Sequence, residues 1–457
     1  MLLLALLTFC LAIVEGQWPP HRRHPPGWPH PPWLRPPPRR NGGSGSSQGR
    51  PSQTRQRPLP EESTTLRKSP RVSGAPNYPI VATYQRSCYK SAFDGWRDRW
   101  MKSSCPKRGE ANFGQDAQHR DRRTKYIAHG DGTVTDRVTG LMWIQDPGKK
   151  VSYDTCINGA SRVRMGGHRD WRVPSIQELY SLIRFNGYNG RSAASSKPYI
   201  DTKAFVFVYP QDDGTGGPGK RYIDAQAVSS TLYNSRVKIR DHSFQPFFGV
   251  NFADGRIKGY PTFSSFYCWY VRGKPYGINN FRDNGDGTIT DRASGLMWTQ
   301  SDSRKQMTWT KALAWAENLR LAGHTNWRLP NAKELHSLVD YTRSPDRTSS
   351  AAIDPIFKTT AIRDENGQRN WGWYWSSTTH AQSRDTTPRG DWAVYIAFGE
   401  CQGYNTQSGR WEDVHGAGCQ RSDPKSGNPQ DPMWANGFGP QADAIRIYNL
   451  ARAVRNV

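Results

Sequence analysis

The chain has 457 residues and a formal net charge of +24, with a sequence pI near 9.9. Hydrophobic residues make up only 35% of it, and 18 tryptophans raise the aromatic share to 12%, which argues against one large aliphatic core and favours small cores built from rings. No later stretch approaches the roughly 18 apolar residues of a membrane-spanning helix, so we predict no transmembrane segment.

The first 16 residues have the features of a secretory signal peptide. Residues 2–14 form an apolar run that is too short to span a bilayer, and Gly16 supplies the small residue needed at the cleavage position. We therefore expect removal of residues 1–16 and secretion of the rest. An extracellular location argues against nucleic acid as the physiological ligand.

Residues 17–75 form an arm rich in proline, glycine, serine and arginine. Proline at this density favours an extended polyproline II chain, and the composition offers too little apolar surface to fold. The arm carries a net charge of about +9, which fits either a solvated linker or a cationic arm that binds polyanions. The cations that would serve the second role include Arg22, Arg23, Arg35, Arg39 and Arg40.

Residues 76–125 form a transition segment before the repeated part of the chain. It contains two cysteines, which we expect to staple the segment onto the first repeated module, and it ends in a basic cluster. A basic cluster is most often a solvated face, but this one is the best candidate polyanion patch outside the arm. Its cations are Arg120, Arg122, Arg123 and Lys125.

Two stretches about 155 residues apart carry the same motifs, which indicates a duplicated module of domain size. Gly-Asp-Gly-Thr-x-Thr-Asp begins at Gly130 and again at Gly285. In both copies it is followed by Gly-Leu-Met-Trp and then by Trp-Arg-x-Pro. We place the modules at residues 126–275 and 276–457.

Each module is predicted to open with a β-hairpin, because the glycines of the shared motif supply the positive φ angles of tight turns. The Asp, Asn and Gly residues also suggest a calcium loop. An EF-hand-type loop starting at Asp283 needs oxygen ligands where Gly285 and Gly287 stand, and Ala128 replaces Asp283 in the first copy. The pattern favours structural turns, and we predict no metal site.

Two helices and several short strands follow in each module. Apolar spacing over residues 312–319 predicts a helix that stops by Gly323, with a weaker counterpart at residues 153–163. Ser175 and Asn331 each precede a glutamate by three residues, as at the start of a capped helix. The predicted strands are residues 227–232, 247–252 and 267–272 in the first copy and 373–377, 392–398 and 444–455 in the second.

Six cysteines remain after the signal, and an even number in an oxidising compartment predicts three disulfides. Cys156 and Cys268 align with two alanines, Ala312 and Ala451, in the second copy. Joint presence in one copy and joint absence in the other favour a bond between them. Six cysteines allow 15 pairings, and the spacing does not fix the other two bonds, although the local pairs Cys88–Cys105 and Cys401–Cys419 fit their positions.

The second copy also contains an insertion, residues 402–441, rich in Gly, Pro, Asn and Asp. Long loops on a rigid scaffold often carry specific recognition, although this one fits a loop without a function as well. Its candidate contact residues are Trp411, His415, Arg421 and Trp434.

Taken together, the paired motifs resemble the C-terminal domain of the Legionella collagen-like adhesin, in two tandem copies. The resemblance covers most of residues 126–457. It implies an α+β fold, with two tandem C-type-lectin-like modules that each pack two helices on antiparallel sheet. The resemblance also implies a ligand class, because the adhesin binds sulfated glycosaminoglycans through a basic surface. The sequence motifs of calcium-dependent sugar binding are absent from this chain.

These observations favour a binding protein over an enzyme. His168 and His324 occupy matching turns without a neighbouring nucleophile, and the cysteines are expected to be paired. We predict a secreted, non-enzymatic adhesion or matrix protein that binds acidic polysaccharide and uses no cofactor. The alternatives are an extracellular enzyme on the same scaffold and a structural component of a mineralised or mucous matrix. Whether the chain forms a homo-oligomer is left open.

Overall fold

The computed structural model describes residues 77–93, 98–119, 122–210, 221–239, 242–383 and 388–457. The expectations for residues 1–16 and for the arm, with Arg22, Arg23, Arg35, Arg39 and Arg40, lie outside the described residues, as does Arg120. Both module copies belong to one compact unit, Val72–Val457.

A hairpin and the first copy come first along the chain. The hairpin consists of β1 (Cys88–Phe93) and β2 (Asp98–Ser103), with a 3-10 turn at Asp116–Gln118 after it. The described strands of the first copy are β3 (Tyr126–Ala128), β4 (Thr133–Asp136), β5 (Leu141–Ile144), β6 (Val151–Ser152), β7 (Gln226–Leu232), β8 (Val237–Ile239), β9 (His242–Phe244), β10 (Phe247–Asn251), β11 (Arg256–Tyr260), β12 (Ser265–Phe266) and β13 (Val271–Arg272). Its helices are α1 (Tyr153–Gly159) and α2 (Ile176–Ser181), with 3-10 turns at Ala160–Arg162 and Ala193–Ser195.

The second copy repeats this order with longer central strands. Its described strands are β14 (Phe281–Asp283), β15 (Thr288–Asp291), β16 (Leu296–Thr299), β17 (Ala361–Arg363), β18 (Arg369–Trp371), β19 (Trp373–Ser383), β20 (Pro388–Ala397), β21 (Gln402–Asn405), β22 (Arg410–Asp413), β23 (Gln420–Pro424) and β24 (Val454–Asn456). Its helices are α3 (Trp309–Asn318), α4 (Ala332–His336) and α5 (Pro345–Thr348), with a 3-10 turn at Pro432–Trp434.

Each copy folds its opening motif into a four-stranded antiparallel sheet that is completed by the last strand of the module. The strand order is β13-β5-β4-β3 in the first copy and β24-β16-β15-β14 in the second. Arg172 bridges to Val271 and Arg328 bridges to Val454, so the Trp-Arg-x-Pro motif lies beside that last strand in both copies. The predicted opening hairpins and the duplication are confirmed.

A six-stranded sheet joins the two copies. Its order is β19-β20-β23-β11-β10-β7. The first three of these strands belong to the second copy and the last three belong to the first copy. At the junction Ile257 pairs with Gln420, and the amide of Gly259 donates to the carbonyl of His415 at 2.8 Å. One buried cluster includes Trp143 and Trp298, one from each copy. The modules therefore share a sheet and a core.

The capped helices have the predicted starts. The side chains of Ser175 and Asn331 accept from the amides of Glu178 and Glu334, whose carboxylates complete the capping box. Both carboxylate oxygens of each glutamate also accept hydrogen bonds from the guanidinium of the arginine in Trp-Arg-x-Pro, with N–O distances of 2.5 Å for Arg172 and 2.6 Å for Arg328. The motif thus ties the last strand to the start of the helix in both copies.

The predicted α+β fold of two lectin-like modules is wrong, because the chain is mostly β and its sheets are several and small. The longest described α-helix, α3, has 10 residues, whereas α2 and α4 have 6 and 5. The hydroxyls of Ser181 and Ser337 donate to carbonyls three residues earlier, at 2.6 and 2.7 Å, where continued helix would compete for the same groups. The short helix α2 contacts β7 and β10, α4 contacts β19 and β20, and the two helices also contact each other.

The predicted strand over residues 444–455 is also mostly wrong, since only Val454–Asn456 forms a strand. Ile447 has a φ of 60°, which interrupts extended backbone ahead of it. The insertion was placed too broadly as well. Gln420–Pro424 falls within residues 402–441 but forms β23, an inner strand of the shared sheet.

All three predicted disulfides are present: Cys88–Cys105, Cys156–Cys268 and Cys401–Cys419. The first of them does not staple its segment onto the first module. The β1–β2 hairpin packs on β20 of the second copy, where the amide of Trp100 donates to Asp391 at 2.8 Å. The ammonium of Lys425 lies 4.6 Å from the ring of Trp100 and 3.9 Å from that of Trp309. Aromatic packing around one buried amine, which sequence spacing does not reveal, holds the hairpin there.

Candidate functional site

The basic cluster after the hairpin presents its cations to solvent. Arg122, Arg123 and Lys125 are exposed, and within the described residues their side chains have no hydrogen-bond or ion-pair partner. Their backbone is fixed, because the carbonyl of Arg122 accepts from Ala82 at 2.7 Å and the amide of Lys125 donates to Asp136 at 3.0 Å. We call these three residues the basic patch. The segment just before β3, held by these backbone hydrogen bonds, therefore carries three solvated and unpaired positive charges.

A neighbouring arginine shows what a structural cation looks like in the same region. Arg184 pairs with Asp201 at 2.7 Å and lies 3.8 Å above the ring of Tyr84. The Tyr84 hydroxyl is 2.6 Å from Thr124 Oγ1, so this group supports the segment that carries the basic patch. Arg184 therefore uses its charge in contacts within the fold, whereas the side chains of the basic patch make no such contacts in the described residues.

Two of the four candidate contact residues in the insertion are internal. His415 and Arg421 are buried and share the carboxylate of Asp443, with His415 Nε2 at 2.6 Å from one oxygen and Arg421 donating to the other. Burial, reinforced by Arg421, holds the pKa of His415 well below its usual range. Burial also lowers the pKa of Arg421 to about 10. This arrangement favours a structural role for both residues, as supports of the insertion.

Trp434 lies elsewhere in the insertion, in a half-exposed aromatic group. Its ring is 6.4 Å from that of Trp392 and 5.5 Å from that of Phe438, edge-on to both. Trp392 and Phe438 stack at 5.4 Å. The group attaches the tip of the insertion to β20, and it lies apart from the cleft that contains Trp411.

Trp411 lines an open cleft of about 680 Å³ at the boundary between the two copies. The first copy contributes to it through the β8 hairpin, and the second through the turn between β17 and β18 and through β22. We call it the inter-module cleft. Its lining residues are Arg236, Lys238, Asn366, Gln368, Arg410, Trp411, Glu412 and Asp413.

Local hydrogen bonds hold the cleft residues in place. The side chain of Asn366 donates to the carbonyl of Trp411 at 2.7 Å and accepts from its amide at 3.2 Å. Glu412 receives Lys238 at 2.9 Å, and Arg236 donates to Ser243 on the neighbouring strand. The two copies are thereby linked across the cleft by an ion pair.

Arg410 differs from its neighbours because its exposed guanidinium has no partner among the described residues. The floor of the cleft carries Asp413, which accepts from the Tyr233 hydroxyl at 2.9 Å and from the amide of Gly416 at 2.8 Å. Burial and the nearby Glu400 carboxylate raise the pKa of Asp413 well above its usual range. Negative charge at the floor is therefore disfavoured, which leaves the cations dominant.

Sequence reasoning identified Trp411 but missed the rest of the cleft. Arg236 and Lys238 are far from Arg410 along the chain, and they become neighbours only when the shared sheet brings the copies together. The one local signal is the Arg-Trp pair at positions 410 and 411, inside the insertion whose sequence fits either a recognition loop or a loop without a function.

The glycine-rich turns are built as structural turns. Asp131 and Asp286 each accept from the amide and hydroxyl of a threonine two residues later, at 3.0 and 2.6 Å in both copies. Across the described ranges, no group of three or more His, Cys, Asp or Glu side chains is placed to hold a metal. In the same part of the chain, no helix is long and apolar enough to cross a bilayer.

Comparison with known sequences identifies the repeated unit. The sequence model of the Lcl C-terminal domain matches residues 132–272 and 287–412, which together are more than half of the chain. Each segment falls within one of the two copies described above, and the second ends within β22. Comparisons with curated proteins and with solved structures gave no match.

Proposed function

The chain belongs to the Lcl C-terminal domain family, with two copies of the domain in tandem, and from that premise we propose that it is a secreted, non-enzymatic protein that binds acidic polysaccharide. The three disulfides fit an oxidising, extracellular setting. The ligand class follows from charge, since polymers with regularly spaced sulfates or carboxylates attract a chain with a net charge of +24.

The observation that carries the proposal is the basic patch. Arg122, Arg123 and Lys125 are exposed on a segment held by backbone hydrogen bonds, and no acidic side chain in the described part of the chain neutralises them. Solvated cations of this kind cost little to maintain and gain energy when a polyanion binds, each contact contributing roughly 0.2–1 kcal/mol. Several such contacts along one polymer add up to useful affinity, and salt weakens all of them together.

The test compares a sulfated polysaccharide with its uncharged parent, for example dextran sulfate with dextran, against the full-length protein. We expect binding to dextran sulfate only, with affinity that falls steeply as NaCl is raised. Replacing Arg122, Arg123 and Lys125 together by Gln should reduce the binding free energy by about 1.5 kcal/mol, which weakens binding about tenfold.

A matched control removes the same charge from the second copy. Arg282, Arg292 and Lys305 are also exposed and without side-chain partners in the described residues, and their replacement by Gln should weaken binding clearly less than the change in the basic patch. Equal binding of dextran and dextran sulfate by the wild type would overturn the proposal. Equal losses in the two triple variants would refute the basic patch as its location.

A further inference from the structure

The inter-module cleft combines features that the basic patch lacks. It is concave, it holds cations on both sides, and it contains an indole with its backbone fixed by Asn366. We infer that the cleft is a subsite for one acidic sugar residue, a pyranose ring that carries a sulfate or a carboxylate. This inference rests on the proposed function and adds a defined location, a ligand size and an orientation to it.

Recognition of the anionic group falls to Arg410, Arg236 and Lys238. Arg410 is unpaired within the described residues, so its planar fork of donors is available for two parallel hydrogen bonds to a sulfate or carboxylate. The ammonium of Lys238 is about half exposed although it contacts Glu412, and it retains donors for a second contact. The cleft therefore has three cations but only one ionised carboxylate, that of Glu412, which already accepts from Lys238.

The sugar ring itself is expected to lie against Trp411. The indole is half-buried and packs edge-on against Tyr404 at 5.3 Å, so its remaining surface faces the cleft. Aromatic rings of this kind offer apolar contact at little conformational cost. The exposed amide of Gln368 lies on the same wall and supplies a donor and an acceptor for ring hydroxyls.

Only the tandem arrangement can make this site. The cations Arg236 and Lys238 belong to the β8 hairpin of the first copy, whereas Arg410 and Trp411 lie on β22 of the second. The first copy has no equivalent of β22, because β10 and β11 are separated only by residues 252–255. A single module could offer charged surface, but the subsite requires the junction.

The experiment measures binding of short oligosaccharides to the full-length protein by titration calorimetry. The probes are a heparin-derived tetrasaccharide, a tetragalacturonate that carries carboxylates alone, and neutral cellotetraose. We expect one of the two acidic probes to bind and cellotetraose not to bind, and the winning probe distinguishes sulfate from carboxylate recognition.

Five variants locate the binding. Arg410→Gln and Trp411→Ala should each raise the Kd of the acidic tetrasaccharide at least tenfold. The matched controls, Arg282→Gln on an exposed hairpin and Trp434→Ala elsewhere in the insertion, should change it less than twofold. Lys238→Gln, at an exposed position, provides a second cleft variant with an expected loss of about fivefold.

The outcomes separate this inference from the proposed function. If dextran sulfate binds but neither acidic tetrasaccharide does, or if the cleft variants and their controls lose affinity equally, the subsite is refuted and the polyanion proposal stands. If neither the polymer nor the short probes bind, both fail. Selective loss in Arg410→Gln, Trp411→Ala and Lys238→Gln supports the subsite.

Discussion

His336 provides a sharp test of the packing between the two copies. Its ring lies in α4, fully buried, 4.3 Å from the ring of Tyr180 in the other copy, and its Nε2 is 2.9 Å from the Tyr341 hydroxyl. Burial, reinforced by Lys333, lowers the pKa of His336 to about 3 from a usual value of 6.5. The folded protein therefore keeps this imidazole neutral under conditions in which the unfolded chain protonates it.

The direction of the pH effect follows from that difference. A histidine with a lowered folded-state pKa stabilises the fold fully above pH 6.5, and stability is lost as the pH falls from 6.5 towards 3. Between pH 7 and pH 5 the unfolded state takes up most of one proton that the folded state excludes. This costs roughly 2 kcal/mol, with a ceiling of about 5 kcal/mol near pH 3.

The assay is urea unfolding followed by tryptophan fluorescence at pH 7 and pH 5, with the disulfides intact. His336→Gln keeps a donor for Tyr341 but cannot titrate, so it should lose about 2 kcal/mol less than wild type between the two pH values. His324→Gln is the control, because His324 sits in a partly exposed turn 6.4 Å from the Trp327 ring and should alter the pH dependence less. Equal losses in wild type and His336→Gln would refute the reasoning.

Three further predictions concern the fold. Replacing Cys156 and Cys268 by Ala, the residues of the second copy, should leave a folded protein that is about 4 kcal/mol less stable in urea, because the bond closes a loop with a sequence separation of 112. Arg328→Gln should lower the free energy of unfolding by roughly 3–5 kcal/mol, because it leaves a buried glutamate unpaired, whereas Arg172→Gln should lower it less because that arginine is 36% exposed. Equal losses of stability in thermal unfolding of the two variants would show that burial of the arginine does not matter. Gly259→Val should destabilise the protein by about 1–3 kcal/mol, because a Cβ there would lie 2.8 Å from the ring of Pro246 and 3.0 Å from the His415 carbonyl of the other copy. An unchanged urea midpoint would show that these neighbours move aside without a loss of stability.

Local features of the fold were predictable because short-range rules govern them. Ser175 and Asn331 cap helices through side chains three residues away, and glycines in the repeated motif supply the positive φ angles of its turns. The bond between Cys156 and Cys268 followed from comparing the two copies. Each of these inferences used residues that are close in sequence or aligned between copies.

The fold class was not predictable from the same rules. Capping signals state where a helix begins but not how long it runs, and here α2 and α4 end after 6 and 5 residues. The strand Gln420–Pro424 looked like part of an insertion because its polar residues give no alternation of apolar side chains. Its place in the sheet is set by β20 and β11 on either side.

The sequence by itself therefore determined the duplication, the helix starts and the excess of positive charge, and it favoured the Cys156–Cys268 bond. Tertiary structure alone decided that the two copies share one sheet, that His415 and Arg421 turn inward onto Asp443, and that Arg236 approaches Arg410. The physical reason is distance along the chain. Capping, turns and composition act within a few residues, whereas a cleft between modules depends on contacts between segments more than 100 residues apart, which no local pattern encodes.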